Sequence, residues 1–104
     1  MIPDLRALPG GDLVMQGLRD LRAGADDTIA ALLIQIGHPR LRDAGLHIHS
    51  MPAGSRDAEL RLYARLVADR DPDPYSTYNS LIRRLVSCES ALEQAQRVAQ
   101  AQPR

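Results

Sequence analysis

The chain has no lysine, phenylalanine or tryptophan. It has one cysteine, Cys88, and its whole aromatic content is three tyrosines. No apolar run approaches the ~20 residues needed to cross a bilayer. Met1-Ile2-Pro3-Asp4 has neither the basic start nor the apolar stretch of a secretory leader. Each absence excludes a class. Without lysine there is no Walker-type phosphate loop and no Schiff-base amine. A lone cysteine closes no internal disulfide and builds no cysteine-based zinc site. Thirteen basic residues, all arginine, balance 13 acidic ones, so the net charge is zero, whereas general nucleic-acid binders are strongly basic. The expectation is a soluble, cytoplasmic protein with no membrane contact and no cofactor.

What is present is aliphatic. Fifteen Leu and 14 Ala dominate the 104 residues, so the core must come from closely packed helices with few large anchors. The length suits one domain over 1–104. Residues 1–11 read as a lead-in broken by Pro3, Pro9, Gly10 and Gly11. Asp12 is placed to cap a first helix carrying Leu13, Val14, Leu18 and Leu21, closed by Gly24. Gly17 inside it costs about 1 kcal/mol against Ala and marks a close approach by another helix.

Asp26 or Asp27 would cap a second helix, Thr28 to Ile36, which is apolar nearly all round and therefore central. Gly37-His38-Pro39 reads as a stop, and Arg40 to Ala44 as a short third helix closed by Gly45. Residues 46–55 read as a loop, with a strand-like alternation at His47-Ile48-His49. A fourth helix, Arg56 to Ala68, shows Leu60, Tyr63, Leu66 and Val67 as its apolar face. Pro72 within residues 69–73 and the adjoining Pro74 require a solvated connection.

The last helix, 74–100, starts at Asp73-Pro74, and 101–104 is a tail. Tyr78, Leu81, Leu85, Cys88, Leu92, Ala95 and Ala99 follow spacings of three and four, a heptad seam. At 1.5 Å per residue this helix is roughly 40 Å long, longer than a compact domain of this size is wide. The fold class expected is all-α: a small irregular or orthogonal bundle of four main helices and one short one, with a long C-terminal helix.

Three functions compete. The first is a non-catalytic protein–protein interaction or dimerisation module, of the kind found among small bacterial helical proteins. Its contact would be the seam Tyr78, Leu81, Leu85, Cys88 and Leu92, flanked by Arg83, Arg84 and Glu89, against a second copy or another protein. The second is DNA binding through Arg40, Arg42, Arg83 and Arg84. Arg40-Leu41-Arg42-Asp43-Ala44-Gly45-Leu46 resembles the end of the recognition helix of winged-helix regulators, which implies a hairpin wing within 47–66. The third is an enzyme. His47 and His49 lie two apart on an extended segment and point to one side, with Asp57, Glu59 or His38 as a third metal ligand. Arg42 and His47 resemble the Arg–His spacing of one class of small helical ribonucleases, which implies a site around Arg42, His47 and His49. Asp69, Asp71 and Asp73 open like a calcium loop, but Pro74 and Ser80 stand where glycine and a bidentate glutamate are required. Cys88, with Arg84 one turn away, is a candidate thiol only if exposed.

Overall fold

Thr28 shows how local chemistry sets the architecture. Its hydroxyl accepts from the Ala31 amide (3.1 Å), capping a helix, and donates to Asp20 on the preceding helix (2.6 Å). One side chain therefore starts one element and ties it to another. The computed structural model describes residues 4–48 and 51–101. Four α-helices make the fold: α1 (Gly11–Arg22), α2 (Ile29–Asp43), α3 (Ala58–Ala68) and α4 (Pro74–Ala101). Single 3-10 turns, Leu5–Ala7 and Ser55–Asp57, precede α1 and α3, and no strand occurs among the described residues. The chain is an all-α bundle.

α2 is the central element and touches the other three helices. Ala30 to Gln35, Gly37 and Leu41 are all buried along it. The expected stop at Gly37-His38-Pro39 is overturned, because the second and short third helices are one continuous helix with Pro39 inside. Proline removes the bond to the carbonyl four residues back, a loss of ~3 kcal/mol in an unsupported helix. Packing on both sides of it compensates. Leu41 is fully buried beyond Pro39, and Gly37 before it lies against Leu85 and Glu89 of α4. A Cβ on Gly37 would sit 2.8 Å from a Glu89 carboxylate oxygen, so glycine there lets α4 approach, and it does not end the helix.

Gly17 does the same at the α1–α2 contact. A Cβ there would collide with the Ala30 carbonyl and the Ile34 side chain. The cap of α2 is Thr28 rather than either aspartate before it. Asp27 instead pairs with Arg61 of α3, which also reaches Gln35 of α2 (3.3 Å) and the Gly54 carbonyl (3.2 Å).

α3 corrects a second expectation. Its buried residues are Ala58, Leu62 and Leu66. Leu60, Tyr63 and Val67, expected in the core, face outward, and only Leu66 of the expected face turns in. The helix carries two apolar stripes, 58/62/66 and 60/63/67, and the first is turned onto the core. In this orientation Arg61 and Arg65 both reach back to Asp27, Arg61 to its carboxylate and Arg65 to its carbonyl (3.0 Å).

α4 starts where expected. Asp73 accepts from the Ser76 amide (3.2 Å) and hydroxyl (2.8 Å), and these bonds hold its carboxyl below the usual range. Its 28 residues span about 42 Å in a molecule 52 × 27 × 20 Å, so this helix sets the long dimension. No helix among the described residues is long and apolar enough to cross a membrane.

Candidate interaction surface

The heptad seam of α4 lies mostly inside the chain. Leu85, Cys88 and Leu92 are 3%, 0% and 1% exposed and pack in the same core as Leu32, Leu33, Leu41 and Leu62. Tyr78 and Leu81 are half-buried against that core. Heptad spacing reports an apolar seam without saying whether its partner is another chain or a helix of the same one. Here the middle of the seam meets the chain's own helices.

The apolar surface left in solvent is elsewhere. Six large apolar side chains are exposed among the described residues, and five of them, Leu60, Tyr63, Val67, Tyr75 and Val86, lie on α3 and the first half of α4. Leu60 is 74% exposed and Tyr75 68%. On α3 the spacing 60, 63, 67, with exposed Ala64 between, is one continuous helical face. The tyrosines join the two helices. The Tyr63 and Tyr78 rings meet edge to face with centroids 6.3 Å apart, and the Tyr78 hydroxyl donates to Glu59 at 3.4 Å. Partial burial, with the Glu59 charge nearby, pushes the Tyr78 hydroxyl up from its ordinary value. Tyr63 is therefore fixed in orientation while 40% of it stays exposed.

The four arginines considered for nucleic acid do not form one surface. Arg40 is held by Glu89 and Glu93 of α4, and Arg84 by Asp12 of α1. Arg42 lies 3.9 Å from Asp43, and Arg83 is exposed with no ion pair among the described residues. The winged-helix reading is overturned, because residues 58–68, where the wing was required, are helix α3. Arg40 and Arg42 lie in the last turns of the buried α2.

The enzyme candidates are likewise dispersed. Arg42 is on the exposed end of α2, and His47 is exposed in the following loop. His49 lies outside the described residues. No group of three or more His, Cys, Asp or Glu residues that could hold a metal occurs among the described residues. Cys88 is fully buried, and desolvation, with Glu89 adding to it, pushes its thiol up to about 11. Arg84 does not activate it, since that guanidinium points to Asp12. An open groove of about 410 Å³ runs along α1 between Arg6, Asp12, Met15 and Arg19. Three of its polar groups are already paired: Arg6 with Asp4, Asp12 with Arg84, and Gln16 with Asp20.

Compared with protein-family models, curated proteins and solved structures, the chain matches none.

Two features were not visible in the sequence. The first is the outward face of α3. The second is the clamp of Arg40 on Glu89 and Glu93, with Ser90 at 3.4 Å, which fastens the later half of α4 to α2. Glu89 sits beside the seam and is only 4% exposed. The only signal for it was a glutamate next to a position of the apolar repeat.

Proposed function

We propose that the protein is a non-catalytic protein-binding module, soluble and cytoplasmic, that acts through the face shared by α3 and the first half of α4. One observation carries this reading: a short helix keeps Leu60, Tyr63, Ala64 and Val67 in water while a second apolar stripe of the same helix satisfies the core. Apart from the contact of Tyr63 with Tyr78, the outer stripe contributes little to the core. Contiguous exposed apolar area of this kind marks contact sites. Tyrosine, with a large ring and a polar tip, is a favoured contact residue. The partner chemistry is a protein surface offering apolar side chains to the exposed stripe Leu60, Tyr63 and Val67.

A photo-crosslinking amino acid at position 67 tests this in the cells that make the protein, with the same group at Arg22 of α1 as control. A discrete protein adduct at 67 and none at 22 supports the reading. Equal labelling at both positions, or none at 67, overturns it.

A further inference from the structure

The outer face of α3 reads alike from either end. Leu60 and Val67 stand equally far from the Tyr63–Ala64 peptide. So do Asp57 and Arg70, of opposite charge, and so do Arg56 and Asp71, opposite again. Resting on the protein-binding reading above, we propose that the occupant of this face is a second copy of the chain, its α3 antiparallel to the first about a two-fold axis at Tyr63–Ala64.

Symmetry is what makes this pattern informative. A two-fold contact puts the same patch on both sides, so the patch must complement itself when turned end for end. Antiparallel pairing in this register places Leu60 against Val67 of the other copy and the large Tyr63 against the small Ala64. Asp57 then meets Arg70, and Arg56 meets Asp71, each twice. A run chosen only for solubility has no reason to place opposite charges at mirrored positions around an apolar centre.

The charges are available for this. Asp57 precedes α3, yet its carboxylate caps no backbone group. Asp57, Arg56 and Arg70 are exposed, and none is in an ion pair among the described residues, whereas Asp71 is half-buried and accepts from the Asp73 amide (2.8 Å), so the Asp57–Arg70 pair is the one that carries the register. The other two arginines of this segment, Arg61 and Arg65, are both paired within the chain. Arg70 also occupies the turn after α3 with φ +60°, a left-handed conformation in which glycine or asparagine is favoured and arginine strained. Retaining arginine there keeps a guanidinium at the end of the stripe. α3 itself runs about 16 Å, with Asp57 and Arg70 in the turns at its two ends. Zero net charge removes general repulsion between copies.

Sedimentation of the purified chain from micromolar to submillimolar concentration tests the proposal, with circular dichroism confirming that each variant is folded. The wild type is expected to dimerise. Arg70→Glu and Asp57→Arg are each expected to weaken the dimer about tenfold, and the double variant to recover most of that loss. Ala64→Cys, on the axis, is expected to join two chains through a short bismaleimide, with buried Cys88 unreacted, whereas Arg22→Cys is not. A monomer at every concentration overturns the second copy as occupant, and the adduct at position 67 then reports separately on the protein-binding reading. A dimer that ignores the charge exchange, or that Ala64→Cys fails to link, overturns the register.

Discussion

Arg40 and Glu93 are joined by two bonds across the α2–α4 junction, Nε to Oε2 at 2.7 Å and Nη2 to Oε1 at 2.8 Å. The same guanidinium gives its remaining nitrogen, Nη1, to Glu89 at 3.1 Å. A planar fork that meets one carboxylate with two donors also fixes direction, which a lysine ammonium would not do. The result is a staple between the last turns of α2 and the later half of α4, where Gln96 also donates to the Asp43 carbonyl (3.3 Å).

Removing the staple has two effects that can be separated. Arg40→Ala frees Glu93 to solvent at little cost but leaves the Glu89 carboxylate buried without its cation. The variant is expected to melt at a lower temperature at neutral pH and to exchange amide hydrogens faster from about residue 89 onward. Adding Glu89→Gln removes the stranded charge and should recover most of the loss. A double variant no more stable than Arg40→Ala would show that Glu89 is not what Arg40 neutralises.

The two glutamates give opposite pH signs. Desolvation, only partly offset by Arg40, holds the Glu89 carboxyl above its ordinary value. The folded chain therefore binds this proton more tightly than the unfolded chain, and stability rises as pH falls from neutrality toward the ordinary carboxylate range near 4. Glu93 and Asp73 are held below their ordinary values, Glu93 by its bonds to Arg40 and Asp73 by those from Ser76. Their contribution is complete above that range and is lost as pH falls through their folded values. Melting temperature against pH should peak on the acid side of neutral and then drop. Glu89→Gln should raise the neutral end and flatten the rise, leaving the acid drop in place.

At Gly17 two magnitudes compete. Alanine is the better helix former by about 1 kcal/mol. The new Cβ would press into the Ala30 backbone, which cannot turn away as a flexible side chain would, and overpacking of this kind costs about 1–3 kcal/mol. Gly17→Ala is expected to destabilise, and Gly24→Ala, where a Cβ meets nothing, serves as the contrast for backbone strain alone at φ +83°. Urea unfolding of the two variants checks this; a Gly17→Ala chain more stable than wild type would mean that α1 and α2 do not cross this closely.

How much of this was legible depends on which contacts were local. Spacing shows α1 and the central place of α2, and the Asp73 cap shows the start of α4, because Asp73 and the run Ile29 to Ile36 act within a few residues. Gly17 could be read as a close approach for the same reason. Asp12 does not cap α1, which starts after Gly10, and its carboxylate pairs with Arg84 instead. The continuity of α2 through Pro39 could not be read, since Leu85 and Glu89, about fifty residues away, hold it together. The seam Leu85–Cys88–Leu92 was read correctly as apolar, but spacing says nothing about which chain covers it. On α3 both stripes are apolar, and spacing does not say which of them the other helices cover.

That choice is open to measurement. Leu62 is 0% exposed and Leu60 74%. Leu62→Ala is expected to cost about 2–5 kcal/mol of stability. Leu60→Gln should stay within about 0.5 kcal/mol of wild type. Chemical denaturation of both variants, held dilute so that association does not contribute, distinguishes them, and equal losses would show that Leu60 belongs to the core.

The eleven residues of α3 thus answer to two demands at once. Leu62 and Leu66 are constrained by folding and, on the protein-binding proposal, Leu60, Tyr63 and Val67 by contact with the partner. A scan of every substitution along this helix would yield two maps with the same helical period. Tolerance judged by folding and tolerance judged by association would alternate along the chain, out of step by about half a turn. Few positions in α3 would be neutral in both maps, so a helix that looks half-exposed would prove one of the least changeable parts of the molecule.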